Sequence, residues 1–170
     1  HDALPICLRE ITAYTLYMLF RPLWQRQKNW VVYEKFCKTA QDNSYYFFKY
    51  CMEHLPEKER RHIYYIMDPR EPDYKNVAGY GRQVVPFMSL KHMLLTLSMR
   101  ICISSDSTSH LYVWRSKPSI VRRAIKQKEE LFLQHGVTAM KRVDQLFGKK
   151  GSSPMTYFVT CSRPEHDIVV

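Results

Sequence analysis

The sequence predicts an α/β fold in which a parallel sheet is wrapped by helices. Short runs rich in β-branched and aromatic residues alternate with segments whose apolar residues recur every three or four positions. The strand-like runs follow one another at intervals of roughly 20–30 residues, which leaves room for a helical crossover between parallel strands. Right-handed crossovers place the carboxyl ends of all the strands at one edge of the sheet, so we expect the functional loops there.

Composition limits the classes of partner. The chain has 170 residues, 45% of them hydrophobic, and a net charge of +10. This charge favours polyanions such as a phosphate-rich substrate or an anionic lipid surface. Nucleic acid is not expected as a partner, because no RNA-recognition motif is present and the aromatic residues fall in apolar-periodic segments. Oligomeric state is left open by the sequence.

The five cysteines and seven histidines suggest no metal site and no disulfide framework. The cysteines are odd in number and widely spaced, and no Cys-x-x-Cys pair occurs. We therefore expect reduced thiols in a cytosolic protein, with Cys102 and Cys161 buried because both fall in apolar runs. His62, His92 and His110 lack metal-ligand spacing and are interpreted as surface or packing residues.

Residues 1–28 form the first predicted unit, and 29–170 the second. The uncharged run Ile11–Phe20 is too short to span a bilayer. Aromatic residues recur at helical spacing in this unit and basic residues follow them, at Tyr14, Tyr17, Phe20, Trp24, Arg21, Arg26 and Lys28. An amphipathic helix of this kind either lies on a membrane surface or packs against protein, and the sequence favours neither. Since the chain starts without Met and stops in a helical pattern, we expect a fragment of a longer protein.

Within 29–170, six strands are expected. They lie at 30–33, 62–67, 83–87, 100–104, 131–133 and 156–161. Pro86 lacks an N–H donor, which predicts an edge position for the third strand. Helices are expected at 44–55, capped by Asp42 or Asn43, at 90–99, capped by Ser89, after Gly136, and from Arg163 onward. The segment 117–128 is interpreted as a basic connection.

Three polar loops follow predicted strands and should meet at the carboxyl edge: Lys38–Asn43, Ser104–His110 and His135–Thr138. None carries a glycine-rich nucleotide cradle. Asp106 lies among serines, and it either caps a helix or binds acceptor hydroxyls and orients His135. Asp42 and Asn43 are most simply a helix cap, with binding as the alternative.

The third loop offers the clearest chemistry. A strand ends before His135, the chain turns at Gly136, and apolar residues then resume at helical spacing. The imidazole of His135 has the pKa range of a general base near neutrality. Amides at 136–138 and the ammonium of Lys141 are suitable donors to phosphate oxygens. The alternatives are a structural strand-end histidine, a solvated Lys141 and a Thr138 hydroxyl that bonds only to backbone.

Several motifs carry a resemblance to one family. The run Leu131–Lys141, with its Gln-His-Gly-Val-Thr core, resembles the signature of the CDP-glycerol glycerophosphotransferases, which polymerise teichoic acid chains. Phe36–Ser44, Ile103–Ser107 and Tyr157–Ser162 are similar to further strand-end segments of that family. The resemblance covers most of the chain from about Trp30 onward.

The resemblance implies a Rossmann-like, amino-terminal half of a GT-B type transferase, the half on the acceptor side. His135 would be the catalytic base that helps the acceptor hydroxyl attack the β-phosphate of CDP-glycerol, with release of CMP. Acceptor or phosphate binding would fall on Gly136, Thr138, Lys141, Ser105, Asp106, Asp42 and Asn43. No metal or other cofactor is expected in this half, because the donor CDP-glycerol would be bound mainly by the other half. This half alone should be inactive.

The implied partners are a lipid-linked polyol-phosphate acceptor and the anionic inner face of the cell membrane. Where the family often has Trp before the His-Gly pair and Pro two residues after the histidine, this chain has Gln134 and Thr138. These differences leave the polyol open. A ribitol-phosphate transferase, a glycosyltransferase of the same fold and a non-catalytic binder of anionic polymer remain as alternatives.

Overall fold

The fold is a six-stranded sheet in which every neighbouring pair of strands is parallel. The computed structural model describes residues 3–114, 119–134, 155–163 and 166, with side chains from residue 5 onward. The strands are β1 (Trp30–Tyr33), β2 (Ile63–Met67), β3 (Val84–Pro86), β4 (Ile101–Ser104), β5 (Glu129–Phe132) and β6 (Tyr157–Phe158). The predicted α/β fold with a parallel, Rossmann-like sheet is confirmed.

The strand order is β3-β2-β1-β4-β5-β6, so the chain builds outward from β1 in one direction and then in the other. The predicted edge position of the third strand, β3, is confirmed. The order in which strands are added reverses between β1 and β4. These two strands are parallel and pair from Trp30 with Ile101 to Tyr33 with Ser104. Ligands of such open sheets bind beyond the carboxyl ends of the strands at this reversal.

Helices flank the sheet: α1 (Ala3–Leu19), α2 (Arg21–Gln27), α3 (Asn43–His54), α4 (Glu57–Arg60), α5 (Tyr74–Val77), α6 (Leu90–Ser98) and α7 (Ile120–Ile125). Asp42 caps α3 and Ser89 caps α6, as their side chains accept backbone N–H groups of the first turns. The segment 117–128, interpreted as a basic connection, contains the helix α7, which the sequence analysis did not predict. Val121 and Ile125 of α7 are buried and its arginines face outward.

Each face of the sheet has its own core, because successive strand residues point to opposite faces. Val31 packs in the cluster that includes Met93 and Leu95 of α6. Its neighbour Val32 packs in the cluster that includes Phe48 of α3 and Tyr65 of β2. The sheet is therefore covered on both faces, as parallel sheets usually are.

The first helix packs on the domain through one buried stripe. Ala13 is buried, and the carboxylate of Glu10 accepts hydrogen bonds from the Tyr112 hydroxyl (2.9 Å), the Ser119 hydroxyl and the Ile120 N–H (3.2 Å). The opposite side of α1 and α2 exposes Leu8, Ile11, Tyr14, Met18, Leu19, Phe20 and Leu23. Among the described residues, no helix has the length and apolar character needed to cross a membrane.

Two predictions near the end of the chain need correction. Only two residues of the predicted strand 156–161 pair with β5, through Leu131 with Tyr157 and Phe132 with Phe158. Cys161 is exposed, so its predicted burial was wrong, whereas Cys102 is buried as expected. Arg163 and His166 are helical, and the rest of the predicted last helix lies outside the described residues.

Candidate functional site at the carboxyl edge of the sheet

The loops that follow β1 and β4 meet at the reversal point of the sheet. The backbone N–H of Lys35, after β1, donates a hydrogen bond of 3.0 Å to Oδ2 of Asp106, after β4. The Asp106 N–H itself donates to the Ser104 hydroxyl at 2.9 Å. Asp106 is 8% exposed, so its carboxylate lies at the floor of the junction between the two strands. This is the position at which an open α/β sheet binds its ligands.

A buried carboxylate organises the loop after β1. Glu34 accepts hydrogen bonds from the Thr39 hydroxyl (3.1 Å) and from the N–H groups of Gln41 (3.1 Å), Asp42 (3.0 Å) and Tyr45 (2.8 Å). Burial raises the pKa of Glu34, and these hydrogen bonds oppose that rise. The carboxylate thus occupies the amino terminus of α3, the place where many related sheets bind a phosphate. A phosphate ligand at the carboxyl edge must therefore bind away from the amino terminus of α3.

The same loop is fixed by three further contacts. The Tyr65 hydroxyl donates to the Thr39 carbonyl (2.8 Å), the Ala40 N–H donates to Asp73 (3.2 Å), and the Asn76 amide donates to the Ala40 carbonyl (2.9 Å). These bonds reach the loop from β2 and from the segment around α5. A loop held from two sides presents its groups in a fixed geometry, which a binding site requires.

An aromatic pair lies beside Asp106. The rings of Phe36 and His110 are in tilted contact, with centroids 3.8 Å apart and an interplanar angle of 33°. Nδ1 of His110 lies 3.6 Å from Oδ1 of Asp106, and the imidazole is 22% exposed. Phe36 and Cys37 both have positive φ, at 54° and 58°. Such a conformation costs each residue about 1 kcal/mol or more, and strained backbone of this kind is concentrated at functional sites.

The predicted residues Ser105 and Asn43 connect α3 to the strands at this edge. The Ser105 N–H donates to the Ser44 hydroxyl at 2.8 Å, and the two hydroxyl oxygens lie 3.3 Å apart. Both serines are fully buried. The Asn43 side chain donates to the Gln134 carbonyl at 2.5 Å, which ties α3 to the end of β5. The ends of β1, β4 and β5 are thus held together by direct contacts.

Of the eight predicted site residues, the structure describes Asp42, Asn43, Ser105 and Asp106 and brings them to one edge of the sheet. Asp42 acts as the cap of α3, accepting the Asn43 N–H at 2.7 Å. His135, Gly136, Thr138 and Lys141 lie outside the described residues. His135 nevertheless directly follows Gln134, whose carbonyl contacts Asn43. The roles given to all eight residues stay predictions.

Sequence reasoning gave no role at this edge to three residues: Glu34, Phe36 and His110. Glu34 is a charged residue directly after an apolar strand, which is a usable signal for a buried loop-organising carboxylate. His110 follows Asp106 by four positions, but their proximity depends on the turn Thr108–His110. Within the part of the chain that the structure describes, no group of three or more His, Cys, Asp or Glu residues is arranged to hold a metal ion.

Comparison with known proteins shows a similarity to a protein of teichoic acid biosynthesis. The chain is 29% identical over 152 residues to the minor teichoic acid biosynthesis protein GgaB of Bacillus subtilis (strain 168), a match that covers 87% of this chain. It spans 16% of the length of that relative. No family model matches the chain, and no solved structure matches it. The similarity to GgaB confirms the resemblance to teichoic acid biosynthesis proteins that the sequence motifs indicated.

Proposed function

We propose that this chain is the acceptor-side part of a transferase of teichoic acid biosynthesis, one that adds glycerol phosphate from CDP-glycerol to a polyol-phosphate chain. The observation that carries the proposal is the position of Asp106 at the reversal point between β1 and β4, bonded to the β1 loop. The next strand of the sheet, β5, ends at Phe132, three positions before His135. The similarity to GgaB supports the teichoic acid context.

In the proposed reaction, the terminal hydroxyl oxygen of the acceptor attacks the β-phosphorus of CDP-glycerol. The bond from that phosphorus to the oxygen shared with CMP breaks, and CMP leaves with the electron pair. His135 takes the hydroxyl proton, and the donors at Gly136, Thr138 and Lys141 stabilise charge on the phosphate oxygens. Asp106 binds acceptor hydroxyls or orients His135, and Ser105, Asp42 and Asn43 support the same surface.

The experiment is CMP release from CDP-glycerol by the full-length protein that carries this chain, with a lipid-linked glycerol phosphate acceptor. Because a general base contributes about 10²–10⁴-fold, His135→Ala should lower kcat by at least about 100-fold. The matched control is His54→Ala, which removes an exposed histidine on the outer side of α3. Equal rates in His135→Ala and wild type would remove the proposed base.

Three donors separate the alternatives in the same assay. Release of CMP from CDP-ribitol but not from CDP-glycerol would assign the chain to ribitol phosphate transfer. Turnover of a nucleotide sugar would assign it to glycosyl transfer. A protein that binds the acceptor but turns over none of these donors would be a non-catalytic polymer binder.

We also propose that α1 and α2 contact the inner face of the membrane. Between residues 5 and 28 the sole acidic side chain, Glu10, is buried, and the charges left exposed are cationic. Exposed apolar groups beside cations favour an anionic lipid surface. Leu19→Glu should weaken sedimentation with phosphatidylglycerol vesicles, whereas Tyr46→Glu, on the exposed side of α3, should not. Equal sedimentation of both variants would contradict this contact.

A further inference from the structure

A cavity of about 220 Å³ opens at the amino edge of the sheet, opposite the edge described above. It lies where the chain enters β2 and β3. Its walls come from α4 with the following Arg61 and from the turn Ala78–Gln83. Three arginines line it, Arg60, Arg61 and Arg82, and Glu57 is the single acidic residue among its lining residues. The cavity is thus a pocket with a positive lining.

The positive charge of this cavity is weakly compensated. Nη2 of Arg82 lies 3.9 Å from Oε1 of Glu57, and both side chains are more than 70% exposed. An exposed pair at this distance stabilises little and is readily replaced by a ligand. Neighbouring groups respond to the same charge. The pKa of Lys91 is lowered, chiefly by burial and secondly by Arg82, and that of His62 is lowered by burial and then by Arg61.

The guanidinium groups are held in place but keep donors to spare. Nη1 of Arg60 donates to the Met52 carbonyl at 2.8 Å, and Nε of Arg61 donates to Nε2 of His62 at 3.0 Å. Each of these bonds uses one of the five N–H donors that a guanidinium carries. Planar guanidinium groups match phosphate oxygens two at a time, which gives phosphate binding both strength and orientation.

The remaining lining residues suit a ligand that carries hydroxyl groups beside its phosphate. Gln83 supplies an amide and Tyr80 a hydroxyl. The Tyr80 ring is fixed by an edge contact with Phe48, at a centroid distance of 5.2 Å. A volume of about 220 Å³ is small beside the roughly 300–1,000 Å³ of drug-sized ligand sites, and so suits a small phosphate ester.

We propose that this arginine cavity binds phosphate groups of a polyol-phosphate chain at a distance from the reaction edge. When the protein binds the same polymer at a second site, the local concentration of the acceptor end rises without any new contact at the carboxyl edge, where the reaction is proposed. The identification of the ligand as acceptor polymer rests on the proposed function, whereas the capacity to bind a phosphate ester rests on the cavity alone.

The test is calorimetric titration of the full-length protein with a short glycerol phosphate oligomer. The cavity variant is Arg61→Gln with Arg82→Gln, which keeps Arg60 because of its bond to Met52. The control variant is Arg123→Gln with Lys126→Gln, which removes the same two charges from exposed positions in and directly after α7. The cavity variant should weaken the oligomer Kd about tenfold or more, and the control variant less than about twofold.

A third variant reverses the sign of the expected effect. Glu57→Gln removes the carboxylate that competes for Arg82, so the oligomer should bind a few-fold more tightly than to wild type. Equal losses in the cavity and control variants would overturn the proposal, because they would show a general effect of net charge. Binding in the cavity variant that equals wild type would overturn it as well.

Two further comparisons complete the test. The first distinguishes a lipid phosphate from a polymer phosphate, and the second distinguishes failure of the cavity proposal from failure of the proposed transfer reaction. If the cavity variant loses binding to phosphatidylglycerol vesicles but not to the oligomer, the ligand is a lipid headgroup and the polymer proposal is overturned. Cavity-dependent oligomer binding in a protein that releases no CMP would retain the site and reject the proposed transfer. Normal CMP release with no cavity-dependent binding would do the reverse.

Discussion

The two edges of this sheet differ in how they use charge. At the carboxyl edge, Glu34 and Asp106 are buried and accept hydrogen bonds from the loops around them. At the amino edge, Arg61 and Arg82 are exposed around a cavity, with one weak partner in Glu57. A carboxylate whose oxygens already accept hydrogen bonds holds the surrounding loops in place, whereas an arginine with unused N–H donors is available to bind an anionic ligand. The net charge of +10 is therefore unevenly distributed, with buried carboxylates at one edge of the sheet and exposed arginines at the other.

The largest expected effect comes from the carboxylate that organises the carboxyl edge. Glu34→Ala removes the acceptor of four donors, among them three backbone N–H groups. We expect a loss of about 4 kcal/mol in the free energy of unfolding, since a buried unsatisfied donor costs about 1–3 kcal/mol. Urea denaturation measures this loss, with the exposed Glu53→Ala as control. A loss below about 1 kcal/mol would mean that the loop does not depend on Glu34.

The second prediction concerns the packing of α1 on the domain that contains the sheet. Glu10→Ala leaves the hydroxyls of Tyr112 and Ser119 without their carboxylate. The expected loss is about 3 kcal/mol, and amide exchange in α1 should rise more than in α3. Since Thr12 is an exposed neighbour in the same helix, Thr12→Ala is the control. Unchanged exchange in α1 would show that these bonds do not hold the helix.

A pH effect is expected from a carboxyl buried between the two edges. Glu130 is 4% exposed, and burial raises its pKa from 4.5 to about 7. The folded protein therefore holds a proton that the unfolded chain loses, and the stability that this group contributes falls as pH rises from about 4.5 to 7. Glu130→Gln removes this dependence and should gain about 3 kcal/mol over wild type at pH 8 relative to pH 4.5. Thermal denaturation across this range gives the difference, and parallel curves for the two proteins would contradict it.

The smallest stability effect concerns the serine pair that joins α3 to β4. Ser44→Ala leaves the buried Ser105 N–H without its acceptor and should cost about 1 kcal/mol. CMP release should fall more than this loss suggests, because the pair positions the end of β4 beside Asp106. Ser98→Ala, at the end of α6, is the control for loss of a buried hydroxyl elsewhere. Equal CMP release in the two variants would separate the serine pair from the reaction edge.

Much of the fold was predictable because local signals agreed with it. The alternation of strand and helix, the Ser89 cap and the edge position forced by Pro86 all follow from short stretches of sequence. The helix α7 was missed because its apolar residues, Val121 and Ile125, are separated by basic ones. Cys161 was misplaced because an apolar run predicts a strand, while its burial depends on what covers the last strand.

The candidate site was predictable in location but not in construction. Strand ends rich in polar residues identified Asp106 and Asn43. The contacts that define their surroundings, such as Lys35 with Asp106 across 71 positions, depend on strand order, which local patterns do not contain. The arginine cavity has the same origin, since Arg82 meets Arg60 and Arg61 only after β2 and β3 pair.

The most direct test of the contrast between the edges is acceptor dependence of CMP release by the full-length protein. Two variants are compared with wild type: Asp106→Asn, and Arg61→Gln with Arg82→Gln. We expect Asp106→Asn to lower kcat at saturating acceptor. The arginine variant should leave kcat unchanged and raise the KM for a long acceptor more than for a short one. A fall in kcat in the arginine variant, or an unchanged kcat in Asp106→Asn, would contradict the division of reaction and binding between the two edges.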